Sequence, residues 1–188
     1  MAETLLTSEE FIKGLTPVSD NLQSKYLISA IREAQEETLR LVLGDALTDK
    51  LKRLVGDGTI RAVGNEAYKA CLDKAQYLLA YQAVANCVMK TAYKIGNIGV
   101  VRASDENLSP ASFTEVNALR DNYQHRADAY MADLQRWLLR NKASLPELTE
   151  CHCNEIRAHL KSSASCGLVL GGRRGKIYTP CGRRYLLR

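Results

Sequence analysis

The chain has 188 residues, of which 46% are hydrophobic and 25% charged, with 26 Lys+Arg against 21 Asp+Glu and a net charge of +5. Length and composition sit at globular averages and suit one domain with its own core. They exclude a bilayer-spanning protein, because no run approaches the roughly 18 apolar residues a membrane helix needs. The start, MAETLLTSEEF, is acidic where a secretory signal has a basic region, so residence in a cytoplasm is expected.

In chain order, a first short helix is predicted from Ser8 to Lys13. Thr7 or Ser8 caps it, Glu9 and Glu10 suit its positive end, and Phe11 and Ile12 give it an apolar side. Pro17 and Asp20 mark the turn that follows. A long helix comes next, with Leu22, Tyr26, Leu27, Ala30, Ile31, Ala34, Thr38, Leu41 and Val42 at helical spacing. Gly44 closes it, and Asp45 caps a short helix through Leu47, Leu51, Leu54 and Val55 that Gly56-Asp57-Gly58 ends.

A second long helix is predicted from about Asn65 to Lys94. Its stretch YLLAYQAVANCVM is apolar on most faces, which marks a central helix or one shared with a neighbouring subunit. Tyr77, Tyr81 and Tyr93, with apolar bodies and polar tips, suit either setting. Residues 95–111 read as an irregular connection rich in turn formers, with a short strand at Ile98-Gly99-Val100-Val101-Arg102. Loops of this length are often bound to partners. Asn97, Val100, Arg102, Asp105 and Glu106 are therefore the candidate contacts to a neighbouring copy. A third long helix follows from Ser112 to about Arg140, opened by a Ser112–Glu115 capping box. Phe113, Val116, Leu119, Tyr123, Ala127, Tyr130, Leu134, Trp137 and Leu138 form its apolar stripe.

Near Asn141 the character changes. Residues 1–141 hold 17 Lys+Arg and 18 Asp+Glu, and residues 142–188 hold 9 and 3, so a body of charge −1 precedes an arm of charge +6. We divide the chain there, into a helical body (1–141) and an extended basic arm (142–188). The arm opens with one more short helix within Glu147–Lys161. Two short strands, Cys166–Leu170 and Lys176-Ile177-Tyr178, then flank an Arg173-Arg174 tip as a hairpin. Leu168, Leu170, Arg173, Arg174, Lys176, Ile177, Tyr178, Arg183 and Arg184 are its candidate partner-binding residues. The alternation of Leu, Val, Ile and Tyr with charge favours docking on a protein by strand addition. The alternative is nucleic acid, gripped through its phosphates.

Catalytic chemistry finds little support. Three histidines are scattered: His125 stands on a helix, and His152 lies between Cys151 and Cys153 with no orienting third group to name. Cys151, Cys153, Cys166 and Cys181 lack the paired C-x2-4-C spacing of zinc sites, and read as free thiols in a chain without a signal peptide. Cys71 and Cys87 read as small buried apolar residues. Glu33, Glu36 and Glu37 read as a solvated face pairing with Arg32 and Arg40. Leu170-Gly-Gly-Arg-Arg-Gly-Lys lacks the Walker spacing. No catalytic residue, metal or cofactor is expected.

Three stretches carry a family resemblance. Ala34-Gln35-Glu36 lies in a helix closed by Leu43-Gly44. Asn97-Ile-Gly-Val-Val-Arg-Ala-Ser-Asp-Glu-Asn leads into Ala111-Ser-Phe-Thr-Glu-Val. Leu134-Gln-Arg-Trp-Leu ends the third long helix. Over about residues 5–145 the chain resembles the head-to-tail connector (adaptor or ring) proteins of tailed phages, closest to those of crAss-like phages. The resemblance implies a virion protein made in a bacterial host's cytoplasm, and a small helical bundle whose copies form a ring under the portal. Twelve copies would match the portal. The ring encloses the DNA channel without specific DNA binding, and a C-terminal segment reaches the portal or the next tail-side ring. The Cys-rich arm departs from the family pattern. The expected fold is all-α: three long and one or two short helices, a long loop and an extended C-terminal arm. The rival function is a DNA-binding accessory protein that uses the basic arm.

Overall fold

The computed structural model describes residues 4–96, 99–102 and 111–164. The fold is an all-α bundle, and the reason lies in its central helix. Helix α1 (Glu9–Leu15) is capped by the Ser8 hydroxyl, which accepts from the Phe11 N–H at 3.2 Å, and it buries Ile12. A long rod then runs as α2 (Ser24–Glu33), a π-helical stretch (Ala34–Leu39) and α3 (Arg40–Leu43). It stops at Gly44, whose φ of 79° is a conformation that side chains resist. Helix α4 (Asp45–Gly56) starts at once. Gly44 is its cap and Asp45 its first residue, so the acidic side chain sits beside the N-terminal end without capping it.

Helix α5 (Glu66–Ala92) buries residues around most of its circumference, among them Cys71, Ala75, Leu78, Leu79, Ala80, Ala83, Val84 and Cys87. A helix apolar on so many sides needs cover on several. Helix α6 (Phe113–Arg140) covers one side, the α2–α3 rod another and α1 a third. Helix α6 opens with the capping box expected of it: the Glu115 N–H donates to Ser112 Oγ at 3.2 Å, and the Ser112 N–H donates to Glu115 Oε2 at 2.6 Å.

Four sequence expectations need correction. The second long helix does not reach Lys94. It ends at Ala92, and Tyr93–Gly96 forms β1, paired antiparallel with β2 (Gly99–Arg102). The register sets Tyr93 against Arg102, Ile95 against Val100 and Gly96 against Gly99. The start of the supposed irregular connection is thus a hairpin.

Leu41 does not belong to the apolar stripe; it is 78% exposed. The π stretch inserts a residue into the turn, and an extra residue rotates everything after it by about 100°. The buried positions therefore shift from Thr38, Leu41 and Val42 to Leu39, Val42 and Leu43.

Phe113 and Leu119 are also exposed, at 59% and 51%. They lie about 60° to either side of the line through Val116, Tyr123 and Ala127. They also lie beyond the core cluster, which on α6 begins at Ala127 and on α5 ends at Cys87.

Finally, the change of composition at Asn141 is not the edge of the core. Helix α7 (Glu150–Ala164) packs back on the bundle, and Leu145, Leu148, Cys153 and Ile156 join the same buried cluster.

Candidate functional site

Gln35 is fully buried inside the π stretch, a placement its polar side chain tolerates only when hydrogen-bonded. Its Oε1 accepts from the Leu6 N–H at 2.9 Å and its Nε2 donates to the Thr4 carbonyl at 3.3 Å. From α5, Gln76 Nε2 donates to the Leu6 carbonyl at 3.0 Å. Two glutamine amides thus hold the chain ahead of α1 while Leu6 fills the core. The buried amide thus sits at the widened turn of the rod, the kind of local irregularity that is frequent at functional sites.

Beside it, Glu36 collects two cations. Lys52 of α4 donates to Oε1, and Arg40 Nη1 to Oε2 at 2.8 Å. Arg40 continues to Asp45 at 2.5 Å and Asp49 at 3.4 Å. The Lys52 hydrogen bond, with Arg40 behind it, pulls the Glu36 carboxyl down to about 2, against the cost of its partial burial. The sequence-based pairing of Glu36 with Arg40 holds, and the network ties the rod to α4. Glu33 pairs with Lys90 of α5, which also donates to Ser29 at 2.8 Å.

Further along, the rod and α6 stand apart over α5 and leave an open cleft of about 240 Å³. Glu33 and Glu37 form one wall, Ala85 and Met89 the floor, and Arg120 and Gln124 the other wall. Gln124 closes its lower end by exchanging two 3.0 Å hydrogen bonds with Gln82. Helical spacing places Phe113 and Asn117 on the same face of α6 as Arg120 and Gln124, so the wall extends upward to Phe113. Phe113 meets the Tyr93 ring edge-on at 6.3 Å.

On another side, a ladder of rings locks α1, α5 and α6 together. Phe11 meets Tyr77 edge-on at 5.8 Å, Tyr77 and Tyr81 each stack on Tyr130 at 5.6 and 5.2 Å, and Tyr123 follows at 6.4 Å from Tyr81. Of the tyrosines weighed for subunit contact, Tyr81 is a core residue and Tyr77 is partly exposed.

Two of the sequence-predicted contact residues are among those described. Val100 and Arg102 stand on β2, while Asn97, Asp105 and Glu106 lie outside the described residues. So do Leu168, Leu170, Arg173, Arg174, Lys176, Ile177, Tyr178, Arg183 and Arg184, the proposed arm hairpin, Cys166 and Cys181. His152 is occupied structurally. Its Nε2 lies 2.7 Å from the Val42 carbonyl, to which it donates, and its Nδ1 lies 3.4 Å from Glu155. His159 meets Gln135 at 3.1 Å. Burial pushes the Cys71 thiol up to about 12, which keeps it protonated and inert. Among the described residues no group of three or more His, Cys, Asp or Glu is placed to hold a metal, and no helix is long and apolar enough to cross a membrane.

The cleft escaped sequence reading because its walls come from residues some 85 positions apart. Its one local signal was the pair Glu33 and Glu37, at i and i+4 on one face, like charges that no isolated helix favours.

The architecture is therefore a helical bundle around α5, with a two-helix hairpin extending past its core. Residues 39–158 match the family of unknown function DUF6712, and the chain belongs to that family. No curated protein matches the chain. No solved structure matches it.

Proposed function

We propose that the protein is a structural virion subunit, a head-to-tail connector whose copies form a ring between portal and tail around the DNA channel. The observation that carries the reading is the apex of the α5–α6 hairpin. Helix α6 runs about 15 Å beyond Tyr123, where its packing on the core cluster begins, and there it exposes Phe113 and Leu119 beside the buried Val116. Large apolar side chains held out on a rigid support suit a contact surface between subunits. Of the three stretches that resemble phage connectors, one lies on the rod and one at the end of α6, and the described parts of the other are Gly99–Arg102 on β2 and Ala111–Val116 at the start of α6; together they suggest the kind of assembly. A count of twelve would follow from the portal. The arm would engage the portal or the next ring.

Light scattering after size exclusion, on the full chain alone and mixed with its portal, tests this. The expected result is a ring-sized complex with the portal, whether or not the free chain is a monomer. A folded chain that never joins the portal would sink the reading. Duplex DNA binding at micromolar or tighter affinity in physiological salt, lost when Arg173, Arg174, Lys176, Arg183 and Arg184 become Ser, would put the DNA-binding accessory role in its place.

A further inference from the structure

The cleft between the rod and α6 has a floor and walls suited to a chain that is both apolar and basic. Ala85 and Met89 offer an apolar floor, and above them Phe113 of α6 meets the Tyr93 ring edge-on. Glu33 and Glu37 supply carboxylates on one wall. On the other, Arg120 is neutralised by Asp121 at 2.8 Å, and Asp128 stands behind Gln124 at 3.0 Å. Counting Lys90 with Glu33, the charged groups around the cleft are Glu33, Glu37, Asp121 and Asp128 against Lys90 and Arg120, an excess of two negative charges.

Residues 165–188 have the complementary make-up. They contain Arg173, Arg174, Lys176, Arg183, Arg184 and Arg188, no acidic residue, and the apolar runs Leu168-Val169-Leu170 and Tyr185-Leu186-Leu187. The anchoring of α7 decides what they reach. His159 holds it to Gln135 of α6, and Cys153 and Ile156 are buried beneath it. Gln135 falls on the same face of α6 as Gln124 and Arg120, about 22 Å from Arg120 along the helix. The 24 residues after Ala164 span up to roughly 80 Å when extended. A tether of that reach gives the segment an effective concentration in the millimolar range at its own cleft.

We infer that the cleft is a docking groove for the chain's own C-terminal segment, residues 165–188, held by the Glu33–Glu37 wall and the apolar floor of Ala85 and Met89. The inference rests on charge, apolar complementarity and reach, and not on the connector reading. Its consequence for that reading is competition: a partner that takes the arm must first draw it out of the groove.

The native thiols Cys166 and Cys181 provide the test. In the full chain, Met89→Cys places a thiol on the groove floor, and Asn117→Cys places one on the α6 wall as a second, independent site. A short bismaleimide is added to dilute protein, and the linked peptides are identified by mass. Linkage to Cys166 or Cys181 within one chain is expected for both variants, and it should disappear with Cys166→Ser and Cys181→Ser together. Glu33→Gln with Glu37→Gln should lower the yield roughly threefold to tenfold, as two rim charge pairs would. Absence of the link in folded protein overturns the inference. So does a link found only between two chains, which would assign the groove to a neighbour's arm. Portal binding without the link would spare the connector reading, and the link without portal binding would spare the groove.

Discussion

At the scale of single residues, buried polar groups decide more than the apolar ones. Gln35 is the clearest case, since its amide replaces water for two backbone groups of the N-terminal segment. Gln35→Ala leaves the buried Leu6 N–H without its acceptor and opens a cavity. We expect a loss of about 2–3 kcal/mol in urea unfolding, together with faster proteolysis before α1. A change below 0.5 kcal/mol would show that water satisfies the site. Glu36 makes a second prediction. Its folded pKa of about 2 lies below its ordinary value of 4.5, so its pairing with Lys52 and Arg40 stabilises the fold at neutral pH. That contribution is lost as pH falls from about 4.5 towards 2. Stability measured across this window should fall less steeply in Glu36→Gln than in the native chain. Tyr68 behaves oppositely. Burial, then the Glu147 carboxylate that its hydroxyl meets at 2.8 Å, raises it to about 12. Its contribution is intact below about 10 and is lost as pH rises to about 12.

At the scale of elements, the π stretch and α7 carry the most consequence. The π stretch turns Leu41 outward and Leu39 and Leu43 inward, so the rod has two apolar stripes out of phase by one residue. Deleting Thr38 would restore a regular helix and should bring Gln35 and the residues after it into conflict, seen as a lower Tm. Helix α7 belongs to the body by packing, although its sequence lies in the basic half. Ile156 is buried against the core cluster, and Ile156→Ala should cost about 2–4 kcal/mol of global stability. If α7 were an independent arm, the same change would leave the main unfolding transition unmoved. The capping box of α6 was legible in four residues because its chemistry is local. The hairpin β1–β2 was only half legible: Val100 and Arg102 fell on a predicted strand, but Tyr93 and Lys94 continue the helical period of α5 well enough to hide the break.

At the scale of the whole molecule, the bundle and its apex separate stability from interaction. Phe113→Ser with Leu119→Ser removes exposed apolar surface without touching the core cluster. Thermal unfolding should shift by no more than a few degrees while portal binding is lost. A large loss of Tm with binding intact would make these side chains structural instead. The sequence by itself determined the all-α class, the end of α4 at Gly56 and the start of α6, and it narrowed α5 to a central or a shared helix. Each of these follows from local periodicity, glycine or capping chemistry within a few residues. Only the tertiary structure decided which residues of each stripe are inside. A stripe says which side of a helix is apolar, not how far along its length a neighbour extends, so Phe113 and Leu119 looked like core. Tertiary packing also decided the phase shift at Gln35, since the extra residue is stabilised by contacts to Thr4 and Leu6, about thirty positions away. The cleft is the extreme case: its carboxylates and its arginine face each other only because α2 and α6 both pack on α5 and diverge there, a geometry that no single segment encodes.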